Sequence, residues 1–305
     1  MSHPMTWKIL MSAPLALLLG QPAIADDCSL KRIASVDMTI DSAGAVSVPM
    51  TIRGQKVDML VDTGGYASMI TDRLAKDLSL NFLRVSSRVQ IRGFGGLLID
   101  HYVVVPDVNL GGLKADQLMM LVMPEDRIAT EQGTIAPDIL REYDVDFDFA
   151  NGKFNLFSQD HCPGKVVYWT KDPPAQIPFK IGDGRHIEVP ITVDGQQLRA
   201  AFDTGSSTSL MSLETAEDLF HFDEKSPNLK VINDNTSSSE KVYRYPFKTL
   251  GFEGTTVNNP DIVLFPDKVS GLHEKLIIGM GVLRQLHLYI AYGEKRLYVT
   301  AATAH

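Results

Sequence analysis

Two aspartates stand out because each opens the same triplet. Asp62-Thr63-Gly64 and Asp203-Thr204-Gly205 lie 141 positions apart in a chain of 305 residues. Either triplet alone reads as a turn, since aspartate and glycine both favour turns. Both, however, follow an apolar run, Met59-Leu60-Val61 and Ala200-Ala201-Phe202. Each carboxylate is therefore expected at the end of a buried strand, where carboxylates are rare without a reason. Two carboxylates brought close together cannot both ionise, so they share one proton and titrate as a coupled pair. One is then a base and the other an acid in the same site. The base takes a proton from a water held between them. The water attacks a carbonyl, and the acid protonates the carbonyl oxygen before the amine leaves. Neither a metal nor a covalent intermediate is needed. Gly64 and Gly205 let the backbone approach the carboxylates. The hydroxyls of Thr63 and Thr204 can hydrogen-bond backbone across the axis and lock the two loops together; ordinary turn satisfaction is their competing role.

The elements that position these triplets are repeated with them. Val48-Pro49-Met50-Thr51-Ile52-Arg53-Gly54-Gln55 matches Val189-Pro190-Ile191-Thr192-Val193-Asp194-Gly195-Gln196 at the same spacing of 141. Further on, Ser68 matches Ser209, Asp77-Leu78 matches Asp218-Leu219, and Leu140-Arg141 matches Leu283-Arg284 at 143. A period this long means two similar lobes, not a solenoid. The lobes are expected at 35–160 and 178–302, joined by a linker at 161–177 that proline and glycine keep irregular. Each lobe reads as short strands. Val46 to Ile52, a turn at Gly54 and Lys56 to Val61 form a hairpin feeding a buried strand. Ser87 to Ile91 and Leu97 to Val105 read as further strands around a glycine cluster. Val145 to Phe149, Asn151-Gly152 and Lys153 to Phe157 form a hairpin whose turn needs positive φ. Its counterpart is Leu286 to Tyr292, Gly293-Glu294 and Arg296 to Thr300. Helices are few: Thr71 to Leu78 and Ser212 to Phe220, with hydroxyl N-caps at Thr71 and Ser212.

On these residues the chain resembles the aspartic proteases of the retropepsin and pepsin group. The resemblance is carried by Val61-Asp62-Thr63-Gly64, by Phe202-Asp203-Thr204-Gly205-Ser206-Ser207, and by Ile277-Ile278-Gly279 with Leu283. To these is added Ile91-Arg92-Gly93-Phe94-Gly95-Gly96-Leu97-Leu98-Ile99, which looks like the flap hairpin of the retroviral enzymes. Lobe one carries a looser form of the Ile-Ile-Gly segment at Ile135 to Leu140. The resemblance implies an all-β, bilobal fold of two duplicated β-barrel lobes with a cleft between them. It implies endopeptidase activity, with Asp62 and Asp203 as the catalytic dyad and Thr63, Gly64, Thr204, Gly205 and Ser206 as active-site loops. Gly93, Phe94, Gly95 and Gly96 would be the flap that covers the substrate; a plain hairpin turn with a bulge is the alternative. The chain then looks like a tandem, single-chain version of a retropepsin dimer. Two departures stand out. Gly65 replaces the commoner serine or alanine, which Ser206 supplies in lobe two. The stretch equivalent to the flap, Asp234 to Ser239, is polar and has no glycine, so one flap is expected, from lobe one.

Composition narrows the partners. There are 29 Lys and Arg against 37 Asp and Glu, a net charge of −8. A nucleic acid partner would require a positive footprint that this chain lacks. The substrate is expected to be a polypeptide in extended conformation, laid along the flap strand. No cofactor and no metal is expected, since the histidines are scattered and show no ligand spacing. Asp144, Asp146 and Asp148 alternate and are expected on the solvent face of their hairpin. Residues 1–25 read as a signal peptide: Lys8, an apolar stretch from Ile9 to Gly20, and the small-x-small site Ala23-Ile24-Ala25. An uncleaved N-terminal anchor is the alternative. Cleavage would leave a periplasmic or secreted monomer with no stable membrane insertion. In an oxidising compartment Cys28 and Cys162 are expected to form a disulfide, with two free buried thiols as the alternative. A non-catalytic peptide-binding protein of the same fold is the competing function.

Overall fold

The computed structural model describes residues 28–93, 97–124, 131–223, 225–232, 241–266 and 275–303. The expected signal peptide, Phe94, Gly95 and Gly96, and the Asp234 to Ser239 loop lie outside these residues. Among the described residues the regular structure is almost all strand, with four short helices.

Each lobe is built from the repeated hairpin outward. In lobe one the strands Val46–Ile52 and Gln55–Val61 pair antiparallel. Val46, Val48, Met50 and Ile52 alternate into the core. The two-residue turn needs positive φ at both positions, and Arg53 and Gly54 supply it at 49° and 77°. Lobe two repeats this with Ile187–Val193, Gln196–Phe202 and a turn at Asp194 (45°) and Gly195 (84°). The second arm of each hairpin then gains a parallel partner, Gly133–Ile135 in lobe one and Leu276–Ile278 in lobe two. The arm that ends in the aspartate is thus an interior strand of its sheet, eight-stranded in lobe one and ten-stranded in lobe two. Thr71 caps the helix Asp72–Asp77 by accepting from Leu74 N, and Ser212 caps Leu213–Phe220 by accepting from Thr215 N.

A six-stranded sheet joins the lobes. Its order is Arg32–Asp37, Lys153–Phe157, Asp144–Asp148, Leu286–Ala291, Arg296–Ala301, Ala175–Pro178. Three strands come from each half of the chain, and the order reads the same from either edge. The last, Ala175–Pro178, falls almost wholly in the expected linker 161–177, which is ordered there because it pairs with Arg296–Ala301. The two central strands pair Phe147 with Leu288 and Asp148 with His287, so the pseudo-twofold axis passes between them. Val145, Phe147, Leu288 and Ile290 feed an apolar cluster that is continuous from Val46 in one lobe to Leu264 in the other.

The opposite face of this sheet corrects the sequence reading. Asp144 and Asp146 are fully buried, not solvent-facing. The segment after Phe157 folds back across the sheet: Val166 is buried, and Tyr168 and Trp169 pack on Phe157 and His287. Beneath it, Asp144 accepts from His161 Nε2 (2.6 Å), Tyr289 Oη (3.2 Å) and Tyr292 N (3.0 Å). Asp146 accepts from His287 Nε2 (2.8 Å), Asn155 Nδ2 (2.8 Å) and Tyr168 Oη (2.7 Å). Strand periodicity put the three aspartates on one face, but it could not show that a later segment covers that face.

Two turns also fall elsewhere than expected. Ser87 to Val89 is a turn, not part of a strand; the strand there is only Ile91–Arg92. The second hairpin of the joining sheet takes its positive φ at Lys295 (53°), just after the expected Gly293-Glu294.

Cys28 and Cys162 form a disulfide. The strands Arg32–Asp37 and Lys153–Phe157 run antiparallel with Arg32 opposite Phe157. The two cysteines therefore lie just past the same end of a paired ladder. The bond closes a separation of 134 residues, for which chain entropy allows about 4–5 kcal/mol.

Candidate active site

Each triplet begins where its interior strand runs out. Asp62 N donates to Ile135 O (2.9 Å), and Asp203 N donates to Ile278 O (3.0 Å). These bonds tie each aspartate to the neighbouring parallel strand as the chain turns. The turns are then braced by their own side chains: Gly64 N donates to Asp62 Oδ1 (3.1 Å), and Gly205 N to Asp203 Oδ1 (2.8 Å).

The two loops meet across the axis. A Cβ added at Gly64 would lie 2.6 Å from Asp203 Oδ2, and one at Gly205 would lie 2.5 Å from Asp62 Oδ1. Each glycine is seated against the opposite carboxyl, and no other residue fits there. Beneath them the threonines interlock. Thr63 Oγ1 donates to Phe202 O (2.8 Å) and accepts from Thr204 N (3.0 Å). Thr204 Oγ1 donates to Val61 O (2.6 Å) and accepts from Thr63 N (3.1 Å). Both threonines are buried, so four backbone groups with no water available are satisfied by two hydroxyls.

This arrangement sets the electrostatics. Both carboxyls are enclosed by loop atoms, though each keeps a partial exposure. Burial raises Asp62 well above the ordinary carboxylate value, and the Asp203 charge and a hydrogen bond with Asp203 raise it further. Asp203 is also raised by burial, while hydrogen bonds from Gly205, Asp62, Gly64 and Ser206 hold it down. Among the described residues no cation pairs with either. The pair therefore holds a proton to higher pH than an isolated aspartate would.

Behind the loops the lobes differ. In lobe one, Ser68 N and Oγ donate to Asp138 Oδ1 (2.9 and 2.7 Å), and Ala136 N donates to Ser68 Oγ. In lobe two, Ser209 Oγ accepts from Gly279 N (3.2 Å). The matched serines are visible in the sequence, but the bracing role of Asp138 is not. At Gly65 a Cβ would come within 2.8 Å of Asp62 Oδ2, whereas Ser206 places its hydroxyl on Thr208 O (2.7 Å).

The glycine-rich stretch has the stem of a hairpin. Ile91 pairs with Ile99, Arg92 with Leu98, and Gly93 N donates to Leu97 O (2.8 Å). This ribbon is a sheet of its own. In lobe two the strands Lys230–Ile232 and Val242–Arg244 also pair, but there they are sewn onto the ten-stranded sheet.

The sequence profile of a family described as aspartyl protease matches residues 48–138 and 189–282, one match on each triplet. The chain belongs to the aspartyl protease family. Among solved structures, basic 7S globulin from soybean is similar, with a TM-score of 0.51 over 90% of this chain and 96% of that one. The two share 10% identity, so this likeness is one of fold. No curated protein matches the chain. The two-lobed, strand-built architecture of this aspartyl protease is therefore supported twice, by sequence profile and by shape.

Proposed function

We propose that this aspartyl protease is a catalytically active endopeptidase in which Asp62 and Asp203 activate a water. The observation that carries the reading is the mutual seating of the loops. Gly64 packs on Asp203 and Gly205 on Asp62, with the pair raised by burial and unpaired with any cation among the described residues. A pair that keeps one proton is both base and acid at once. The ionised partner takes a proton from water as the water attacks the peptide carbonyl. The protonated partner donates to the carbonyl oxygen, and the proton then passes to the departing amine. Thr63 and Thr204 hold the two carboxyls in register, and act as positioning residues. An extended peptide would lie in the cleft, with the hairpin based on Ile91–Arg92 and Leu98–Ile99 as its cover. Export through the signal segment 1–25 suits the Cys28–Cys162 disulfide, which persists in oxidising compartments. The protein would then act in the periplasm or outside the cell, as a monomer, since one chain supplies both halves of the site.

The test is cleavage of a denatured, mixed protein substrate between pH 3 and 8, beside the Asp62→Asn variant. Cleavage by the parent that is lost in the variant supports the dyad. Equal cleavage by both would overturn it. Retained peptide binding with no cleavage at any pH would instead make this a binding protein.

A further inference from the structure

We infer that Arg185 and Tyr66 form a carboxylate-binding subsite at one rim of the cleft, so that the two sides of the dyad accept different peptide residues. The inference rests on the cleft being a peptide site, as proposed above. It starts from a broken symmetry. In lobe one Asp41 N donates to Ala45 O and Gly44 N to Asp41 O; in lobe two Gly182 N donates to His186 O and Arg185 N to Gly182 O. These are the same two bonds displaced by 141 positions, so Arg185 is the counterpart of Gly44. By the same displacement Tyr66 is the counterpart of Ser207.

Both turn positions are left-handed, with φ of 94° at Gly44 and 70° at Arg185. Glycine adopts that backbone freely, and a side chain there costs on the order of 1 kcal/mol. Each position also lies against the active-site loop of the other lobe. A Cβ at Gly44 would sit 3.8 Å from Ser207 and 3.4 Å from Met280. Arg185 holds its guanidinium 4.7 Å from the centre of the Tyr66 ring. One rim is therefore small against small, and the other is a cation on an aromatic face. A strained arginine where glycine would serve, aimed at the loop that carries Asp62, points to recognition.

The pair is built to take a carboxylate. Tyr66 is 50% exposed, and among the described residues no carboxylate pairs with Arg185. A guanidinium lying on a ring keeps its N–H edge free for a bidentate acceptor. Tyr66 is four residues from Asp62, a span of no more than about 14 Å. Peptide residues within three positions of the cut fall inside that reach, at about 3.3 Å per residue. The acceptor is an Asp or Glu side chain or the substrate's own C-terminal carboxylate.

The test uses one cleaved peptide, resynthesised with Glu, Gln or Lys at each of three positions on both sides of the cut, with free or amidated C-termini. The parent is expected to favour Glu over Gln by about tenfold to a hundredfold in kcat/KM, the worth of a charge-assisted hydrogen bond, at a position on one side only. Arg185→Gln should collapse that ratio towards one, and Arg185→Glu should turn the preference towards Lys. A preference that follows the free C-terminus instead identifies the chain end as the carboxylate. No Glu preference and no free-end preference in the parent, or a ratio unchanged in Arg185→Gln, overturns the subsite. Fluorescence anisotropy of the same peptides on the Asp203→Asn chain repeats the comparison without turnover. A binding preference lost in Arg185→Gln, with no cleavage by the parent, would sink the catalytic reading and keep the subsite.

Discussion

The molecule encloses two pairs of aspartates, one fully buried and one partly exposed, and they are treated in opposite ways. Asp144 and Asp146 sit two residues apart on one strand, and each is given a histidine: His161 at 2.6 Å and His287 at 2.8 Å. Tyrosine hydroxyls, an asparagine amide and a backbone N–H fill the remaining acceptor sites. Asp62 and Asp203 come from different lobes, and each is given the other. Burial pushes Asp144 up as it does the dyad, but His161, by hydrogen bond and by charge, pulls it back. At Asp62 the nearest charge, that of Asp203, adds to the rise instead. Burial of a carboxylate is thus common to both pairs. What separates them is the partner: a histidine for each of one pair, the opposite carboxyl for each of the other.

The largest expected effect breaks the comparison on the dyad side. Asp62→Asn or Asp203→Asn should each lower kcat by about 10²–10⁴-fold, the worth of positioned acid–base catalysis. Far-UV circular dichroism should not change, because an amide oxygen still accepts from Gly64 or Gly205. The mirror experiment is Asp146→Ala. It strands His287, Asn155 and Tyr168 beneath the covering segment, and should cost about 3–5 kcal/mol of unfolding free energy by denaturant titration. The molecules that remain folded should retain kcat. An Asp146→Ala protein that is stable but inactive would mean that the two pairs are not separable.

Much of this contrast is legible in the amino-acid sequence, and the rest is not, for a physical reason. Contacts set by local rules can be read there: the Arg53-Gly54 and Asp194-Gly195 turns, the caps at Thr71 and Ser212, and the strands that end in each triplet. Contacts made across the duplication need the fold. The alternation of Asp144, Asp146 and Asp148 is the same whether the face meets water or a strap of chain, and only Trp169 stacked on His287 decides which. The pairing of Arg185 with Tyr66 leaves a faint trace, an arginine aligned with a glycine, visible only when the repeat spacing is carried back past the matching block. Asp138 leaves the same kind of trace, an aspartate aligned with Gly281, but nothing in it points to Ser68 as the partner.

A smaller effect sharpens the comparison at the interlock. Thr63→Val removes a hydroxyl that serves Phe202 O and Thr204 N, both buried, and puts a methyl in its place. The loss should be about 1–3 kcal/mol in stability, and kcat should fall as well, because the lock sets the spacing of the carboxyls. Thr63→Ser keeps the hydroxyl and should recover most of both. Failure of serine to rescue would mean that the methyl, which valine keeps, is needed beside the hydroxyl.

The smallest effect has the most telling sign. The dyad's pKa is raised in the folded state, while in the unfolded chain each aspartate titrates near its ordinary value of about 3.9. Below about pH 4 both states hold their protons, and folding is not penalised. As the pH rises, the unfolded chain releases its proton first, which favours unfolding until the folded dyad also ionises. Stability that burial and repulsion leave intact in acid is therefore lost towards neutrality. Asp62→Asn cannot ionise and also relieves Asp203 of its neighbour. It should be more stable than the parent at pH 7, with the gap closing as the pH falls to about 4. Asp146→Asn, which removes a carboxylate paired with His287, should show no such gain at neutral pH. Thermal melts of both variants across that range separate the two pairs by sign alone. An Asp62→Asn chain less stable than the parent at pH 7 would mean that the buried dyad is not strained by its charge.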